Sequence, residues 1–529
     1  MADEKKIVIL GAGPTGLGAA YRLKELGYKN FHLYDRLPYI GGLASSFKDE
    51  AGFTWDIGGH VMFSHYKYYD DCFDKLMGQD YQMNMRECWV RMFDNWVPYP
   101  FQNNIRHLPK QATYECLTGL VKAQAKGNYK SATNFKEFID AVFGDGIARH
   151  FMIPYNFKVW AHPAEMMNKE WIGERVAVLD VDRAIKNVVL GTDDFGWGPN
   201  NQFKFPLYGG TGEFYRRFGP AIGAEHYSLN KTVDFISISK KQIHFTDGDV
   251  VKYDQLISAM PLDKFCNDYT NGDIPQEIKK AAAGLKHSGG YMVGIGIKQP
   301  CPSTKSWMYF PEDNCPFYRV TYLSNYSPYM TPDKDKYYSL LCETSYSTMK
   351  PLDGNTIVEE TIKGLINAGM LTEEDRKDIV STWTYHAEYS YPTPSVERDG
   401  ILSQVIPFLE SHEVYSRGRF GMWKYEVANT DHTLMQGVEL VNRLLLGEPE
   451  KTIGIKYEST LDGRNAASHE RSTLAGSGDP KKMKELEELK MANSGLVASA
   501  TQSKAVGDID EVHTSEEELG VTTPREKTK

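Results

Sequence analysis

The first apolar run of the chain, Ile7–Leu10, is continuous rather than alternating, which predicts a strand buried on both faces. Leu17, Ala20, Leu23 and Leu26 then recur at helical spacing up to Gly27, a good helix terminator, and Phe31–Asp35 reads as a second strand. Residues 6–35 therefore predict one βαβ unit. From 70 to 190 the spacing predicts mainly helix, with 134–143 the clearest segment, until a Gly/Asn-rich stretch from Gly191 to Asn201 interrupts it. Short alternating runs between 232 and 262 predict strands, the last over Tyr253–Pro261, and 290–345 adds more, including Tyr291–Ile297. Residues 431–446 return to an amphipathic helix. Beyond about Arg464 the chain is polar and poor in aromatics, which predicts disorder apart from a short helix at Lys481–Met491. No internal repeat is present. The element order predicts an α/β protein.

Length changes this picture by requiring division: 529 residues exceed one simple core, so two or three domains are expected. The 32 tyrosines, 24 phenylalanines and 9 tryptophans exceed what packing needs and leave aromatic side chains for a pocket. A net charge of −10 argues against a nucleic-acid partner, since no basic face is available to displace phosphate counterions. The seven cysteines form no C-x-x-C pair, so neither a zinc or other metal site nor a disulfide framework is expected. The N-terminus lacks the apolar core of a signal peptide, and no run of ~18 apolar residues predicts a membrane span. The expectation is a reduced, cytoplasmic protein.

Candidate chemistry begins at Gly11, Gly13 and Gly16, a G-x-G-x-x-G between strand and helix. Its glycines permit a tight turn, approach of backbone N–H groups to a pyrophosphate, and close helix–strand packing. Asp35 ends the second strand, 19 residues after Gly16, where a carboxylate accepts hydrogen bonds from a ribose diol. Two later glycine pairs point to the cofactor. Gly41, Gly42 and Leu43, then Asp56–His60 with the pair Gly58 and Gly59, are features of flavoproteins rather than of NAD dehydrogenases. Asp431–Gly437 opens a late helix whose N-terminal dipole suits negative charge on a reduced flavin. The cofactor expected is FAD, in a discontinuous Rossmann-like domain.

With these pieces joined, the sequence resembles the eukaryotic-type UDP-galactopyranose mutases. The matching stretches run in order from residue 5 to about 450: Gly58–His65, Trp96–Asn104, Tyr155–Trp160, Gly173–Val176, Trp197–Asn200, Phe205–Gly212, Phe310–Arg319, Ser324–Pro328, Tyr391–Pro394 and Gly418–Tyr425. Asn429–Asp431 departs from the pattern, with Thr430 where the family leads one to expect Gln. The resemblance implies an FAD-binding domain over 1–75, 203–262 and 410–464, an inserted helical substrate and flap domain over 76–202, a mixed or antiparallel β-sheet domain over 263–409, and a polar tail over 465–529.

The resemblance also implies an isomerase interconverting UDP-galactopyranose and UDP-galactofuranose without net redox change. FAD would be active when reduced, attacking the anomeric carbon through N5 with UDP leaving, and NADPH would be the reductant. Arg175 and Arg319 would clamp the diphosphate, and His60 would lie near the flavin ring. Tyr309, Tyr326, Tyr391 and Tyr425 would contact the diphosphate; Tyr99, Phe101, Gln102, Asn156 and Trp160 would hold uridine; Asn200 would reach the ligand from a closing flap. Arg419 would sit by the FAD, and Val233, Asn429, Asp431 and Met435 would complete the cofactor's surroundings. Arg86, Arg91 and His65 are the candidate NADPH contacts. Two other readings stay open at this point: an FAD-dependent oxidoreductase of the amine-oxidase or desaturase type, and a non-catalytic nucleotide-sugar scaffold. The oligomeric state also stays open.

Overall fold

A computed structural model describes residues 4–172, 181–194, 202–270 and 272–454. Arg175, Asn200, the motifs Gly173–Val176 and Trp197–Asn200, and the predicted tail lie outside the described residues.

The strand Ile7–Leu10 is central in a five-stranded parallel sheet, ordered Val414–Ser416, Gln255–Ser258, Ile7–Leu10, Phe31–Tyr34, Tyr227–Ser228. Ile7 registers with Gln255 on one side and Phe31 on the other, and all four central residues are buried, which explains the unbroken apolar run. The start, middle and end of the chain thus meet in one sheet. Against it lie helices Pro14–Glu25 and Thr430–Leu446. Their close approach depends on two glycines: a Cβ on Gly18 would stand 2.3 Å from the Leu434 carbonyl oxygen, and one on Gly437 2.0 Å from that of Thr15.

A second, seven-stranded mixed sheet is ordered Ile379–Pro392, His287–Ile297, Tyr338–Tyr346, Arg319–Tyr322, Trp307–Tyr309, Cys88–Met92, Asn95–Pro98. Its pairs are antiparallel except Trp307–Tyr309 with Cys88–Met92. The α/β class with a parallel sheet, helices and a mixed sheet is as the pattern predicts.

The segment expected to be mainly helical needs correction. Helix Phe135–Ile147 starts as predicted, with the Asn134 side chain accepting the Glu137 N–H. But Tyr81–Met85, Cys88–Met92 and Asn95–Pro98 are strands, and two of them extend the seven-stranded sheet. Their hairpin turns at Phe93 and Asp94, both at φ 52°, so it lacks the glycine that usually marks a two-residue turn. Helices Ile357–Asn367 and Arg398–Glu410 are further additions to the predicted elements. The second of these buries Ile401, Leu402 and Val405 in the core that contains Val8 and Leu10 of the central parallel strand. No helix among the described residues is long and apolar enough to cross a membrane.

Candidate active site

At the nucleotide end, the glycines divide their tasks. A Cβ on Gly16 would lie 1.8 Å from the Gly11 carbonyl oxygen, so Gly16 serves the turn itself, with Gly11 at φ +108°. Gly13 caps the first helix at φ −79°, and a Cβ there would meet only the Gly42 Cα, at 4.0 Å. That unfilled cradle at a helix N-terminus, with no side-chain cap, fits a pyrophosphate. Gly42, at φ +55°, opens the turn Gly42–Ala44 that carries Leu43, and its own Cβ would stand 3.1 Å from Gly13. The Asp35 carboxylate accepts the N–H groups of Ala12 (2.6 Å) and Leu37 (2.8 Å), and burial raises its pKa. Val233 opens the strand Val233–Ser237, Met435 is buried in the last helix, and Asn429 is that helix's exposed N-cap.

The second glycine pair packs on the seven-stranded sheet. Gly58 takes φ +94°, and a Cβ on Gly59 would come within 2.6 Å of Thr321 Oγ1 and 3.4 Å of Glu343 Oε1. Beneath the pair, Asp56 is wholly buried; its Oδ1 accepts from Ser46 Oγ (2.5 Å) and its Oδ2 from Thr211 Oγ1 (2.9 Å). Burial pushes the Asp56 carboxyl up to about 6. His60 follows, and its Nδ1 is shielded from solvent with no hydrogen-bond partner among the described residues. Burial pushes the imidazole down to about 4, against the pull of Glu343, so it is neutral at pH 7.

Beside His60 stands Arg319. Its Nε and Nη2 each donate to Glu343, both at 2.7 Å, across neighbouring strands in register. Burial alone would raise the Glu343 carboxyl; the guanidinium outweighs it and holds the group below its ordinary value. Arg319 Nη1 makes no hydrogen bond among the described residues, and the side chain keeps 22% of its exposure while Glu343 keeps 3%. The Tyr326 hydroxyl and Thr321 Oγ1 are likewise buried without a partner. Unpartnered polar atoms around a cation suit a polar, anionic ligand.

Aromatic rings wall this region. Tyr309 packs against Tyr99 (5.1 Å between centroids) and Tyr155 (5.4 Å). Tyr155 stacks on Phe151, which stacks on Phe101. Trp160, Tyr391 and Tyr425 contact one another, and Arg419 lies over both tyrosines, 5.0 and 5.7 Å from their centroids. Burial raises Tyr99 to about 12 and Tyr155, Tyr309, Tyr318 and Tyr326 well above the usual phenol, so all remain donors. Phe101 and Trp160 are fully buried and back the wall, and Gln102 and Asn156 are buried beside them; the Asn156 amide donates to the Met152 carbonyl.

Three expected residues are committed elsewhere. Asp431 Oδ2 accepts the N–H and Nδ1 of His65 (3.0 and 2.6 Å), and its Oδ1 faces His432 Nδ1 at 3.1 Å. Burial would raise this carboxyl, but His432 and His65 prevail and hold it well below the usual range. Any contribution of Asp431 to a cofactor is therefore made through the helix N-terminus rather than by a free carboxylate. Arg91 donates to the Ala368 carbonyl and lies over Trp96, whereas Arg86 lies over Tyr99 in the aromatic wall.

Sequence reasoning missed Glu343, Tyr318 and Tyr155. The one available signal for Glu343 was a carboxylate inside the otherwise neutral, β-rich run Tyr338–Tyr346.

The family model described as flavin containing amine oxidoreductase matches residues 14–405. A crystal structure of reduced UDP-galactopyranose mutase is 46% identical, with a TM-score of 0.82 over 85% of this chain and 96% of that one. Cyclohexylamine oxidase from Brevibacterium oxydans IH-35A (13% identity, TM-score 0.59, 83% of this chain and 99% of that one) shares the fold alone. So does a CLA-producing fatty acid isomerase from P. acnes (17%, 0.55, 84% and 100%). A chloroplastic/chromoplastic zeta-carotene desaturase of Zea mays is 39% identical over 61 residues, 12% of this chain and 10% of the desaturase, so the match spans a tenth of that relative's length. The chain is a flavin enzyme: it belongs to the flavin containing amine oxidoreductase family and to the UDP-galactopyranose mutases.

Proposed function

We propose that this protein interconverts UDP-galactopyranose and UDP-galactofuranose with no net oxidation of substrate. The observation that carries the reading is Arg319, a half-paired guanidinium among buried tyrosine donors beside the His60 loop. Bound and reduced, FAD would supply the nucleophile that displaces UDP from the anomeric carbon. The chain's residues do the rest. Gly13 and the first helix hold the cofactor pyrophosphate, and Asp35 takes its ribose. Arg319, joined by Arg175, grips the substrate diphosphate through its open edge as charge builds on the leaving group. Tyr309, Tyr326, Tyr391 and Tyr425 donate to the same oxygens and exclude water, while Asn200 closes over the ligand. Neutral His60 packs by the flavin and takes no proton at pH 7.

An amine oxidase needs a pocket for an apolar amine, and a cation at its centre would repel an ammonium. NADPH as reductant, with Arg86 of the aromatic wall the remaining candidate contact, completes the reading. The seven free cysteines suit a reducing, cytoplasmic compartment.

The test incubates the protein with UDP-galactofuranose, with and without dithionite or NADPH. UDP-galactopyranose should form only with reduced flavin. Peroxide production without isomerisation would overturn the reading in favour of an oxidoreductase.

A further inference from the structure

One charge in the site has no part in the chemistry of the proposed reaction. Glu343 lies inside Tyr338–Tyr346, a strand buried along nearly its whole length, and is itself 2% exposed. Its carboxylate accepts four hydrogen bonds from three residues on two distant stretches: Arg319 Nε and Nη2 at 2.7 Å each and the neighbouring Tyr318 hydroxyl at 2.9 Å, and the Gly59 N–H at 3.0 Å. Stability is a poor reason to bury such a pair, because well-packed apolar residues commonly serve the fold as well or better.

The geometry gives a different reason. A bidentate pair fixes the plane of a guanidinium, and here it occupies Nε and Nη2 and leaves Nη1 unbonded. The same carboxylate holds the amide of Gly59, immediately before His60, and Tyr318 continues to Tyr391 at 3.3 Å. One side chain therefore sets the arginine, the glycine loop and a tyrosine of the wall relative to one another.

We infer that Glu343 is the positioning residue of the diphosphate clamp: it aims the open edge of Arg319 and locks that edge to the Gly58–His60 loop. The inference rests on the mutase reading. It predicts a specific division of effects. The carboxylate offsets part of the arginine charge, which weakens ground-state attraction for a diphosphate, while its fixed geometry serves the charge that develops as UDP departs.

Glu343→Gln places an amide N–H against groups that are all donors, releasing Arg319 while removing the competing charge. Turnover should fall about 30-fold, while UDP affinity of the reduced protein, measured by calorimetry, is unchanged or tighter. The flavin absorbance change on UDP addition should shrink in the variant, because the link through Gly59 is cut. Turnover within twofold of wild type would overturn the inference, as would turnover and UDP affinity falling together. If Glu343→Gln does not retain flavin, Glu343→Asp decides by the same two measurements: lower turnover with UDP affinity kept supports the inference, and a joint fall overturns it. Wild type measured alongside separates the two claims. A wild type that never isomerises UDP-galactofuranose brings down the mutase reading, while calorimetry and flavin absorbance still report on Glu343.

Discussion

At the nucleotide end, Gly11, Gly13 and Gly16 fall within six residues of chain and act through backbone and empty space. At the Arg319 end, one side-chain carboxylate gathers a guanidinium 24 positions away and a backbone amide 284 positions away, and the arrangement depends on buried charge. The first arrangement is rigid because neighbouring peptides cannot move apart. The second holds together only while each charge has its partner. Sites built these two ways should fail differently, and the difference is measurable.

The largest effect is expected from Arg319→Ala. Removing a donor aimed at developing charge should lower turnover by about 10³-fold, roughly 4 kcal/mol of barrier, with the yellow flavin retained. Arg319→Lys should recover little, since one ammonium cannot both span the Glu343 carboxylate and face the ligand. Steady-state rates of the reduced variants decide it; wild-type rates in Arg319→Ala would remove Arg319 from the clamp.

The glycine cradle should break in two separable ways. Gly16→Ala drives a methyl into the Gly11 carbonyl, 1.8 Å away, and should destabilise the fold by about 3 kcal/mol in urea unfolding. Gly13→Ala meets open space at an ordinary φ, so the fold should keep its stability within about 0.5 kcal/mol while flavin affinity drops. Equal loss of stability in both variants would mean that the space above Gly13 is not the cofactor's.

The same contrast explains what was legible in the sequence. Ile7–Leu10, Gly13 and the helix at 134 were readable because strand burial, turn geometry and capping are local rules. The hairpin at 93–94 was invisible because its positive φ values fall on Phe and Asp. Nothing local marks Gly18 and Gly437, because the contact that requires them joins two helices distant in the chain. Arg319 and the tyrosines were named only through family likeness. Glu343 was not named at all, because nothing near it in sequence announces the partners that neutralise it.

His60 gives the finest test of the comparison, since it stands beside Glu343 and Arg319 of the charge-held clamp and the expected effect on turnover is none. Its folded pKa, about 4, lies below the ordinary 6.5 because burial disfavours the cation. That order of the two values sets the sign. Whatever stability the neutral ring confers is fully present above pH 6.5 and is lost as the pH falls through about 4. Between pH 5 and 8 the ring stays neutral, so the pH–rate profile should show no limb belonging to His60 across that interval, and its imidazole nitrogens should keep neutral NMR shifts. A limb near pH 6.5 that disappears in His60→Asn would show a histidine exchanging protons in turnover. The loop would then be part of the acid–base chemistry, and the division between a backbone cradle and a charge-held clamp would have to include a third, titrating element.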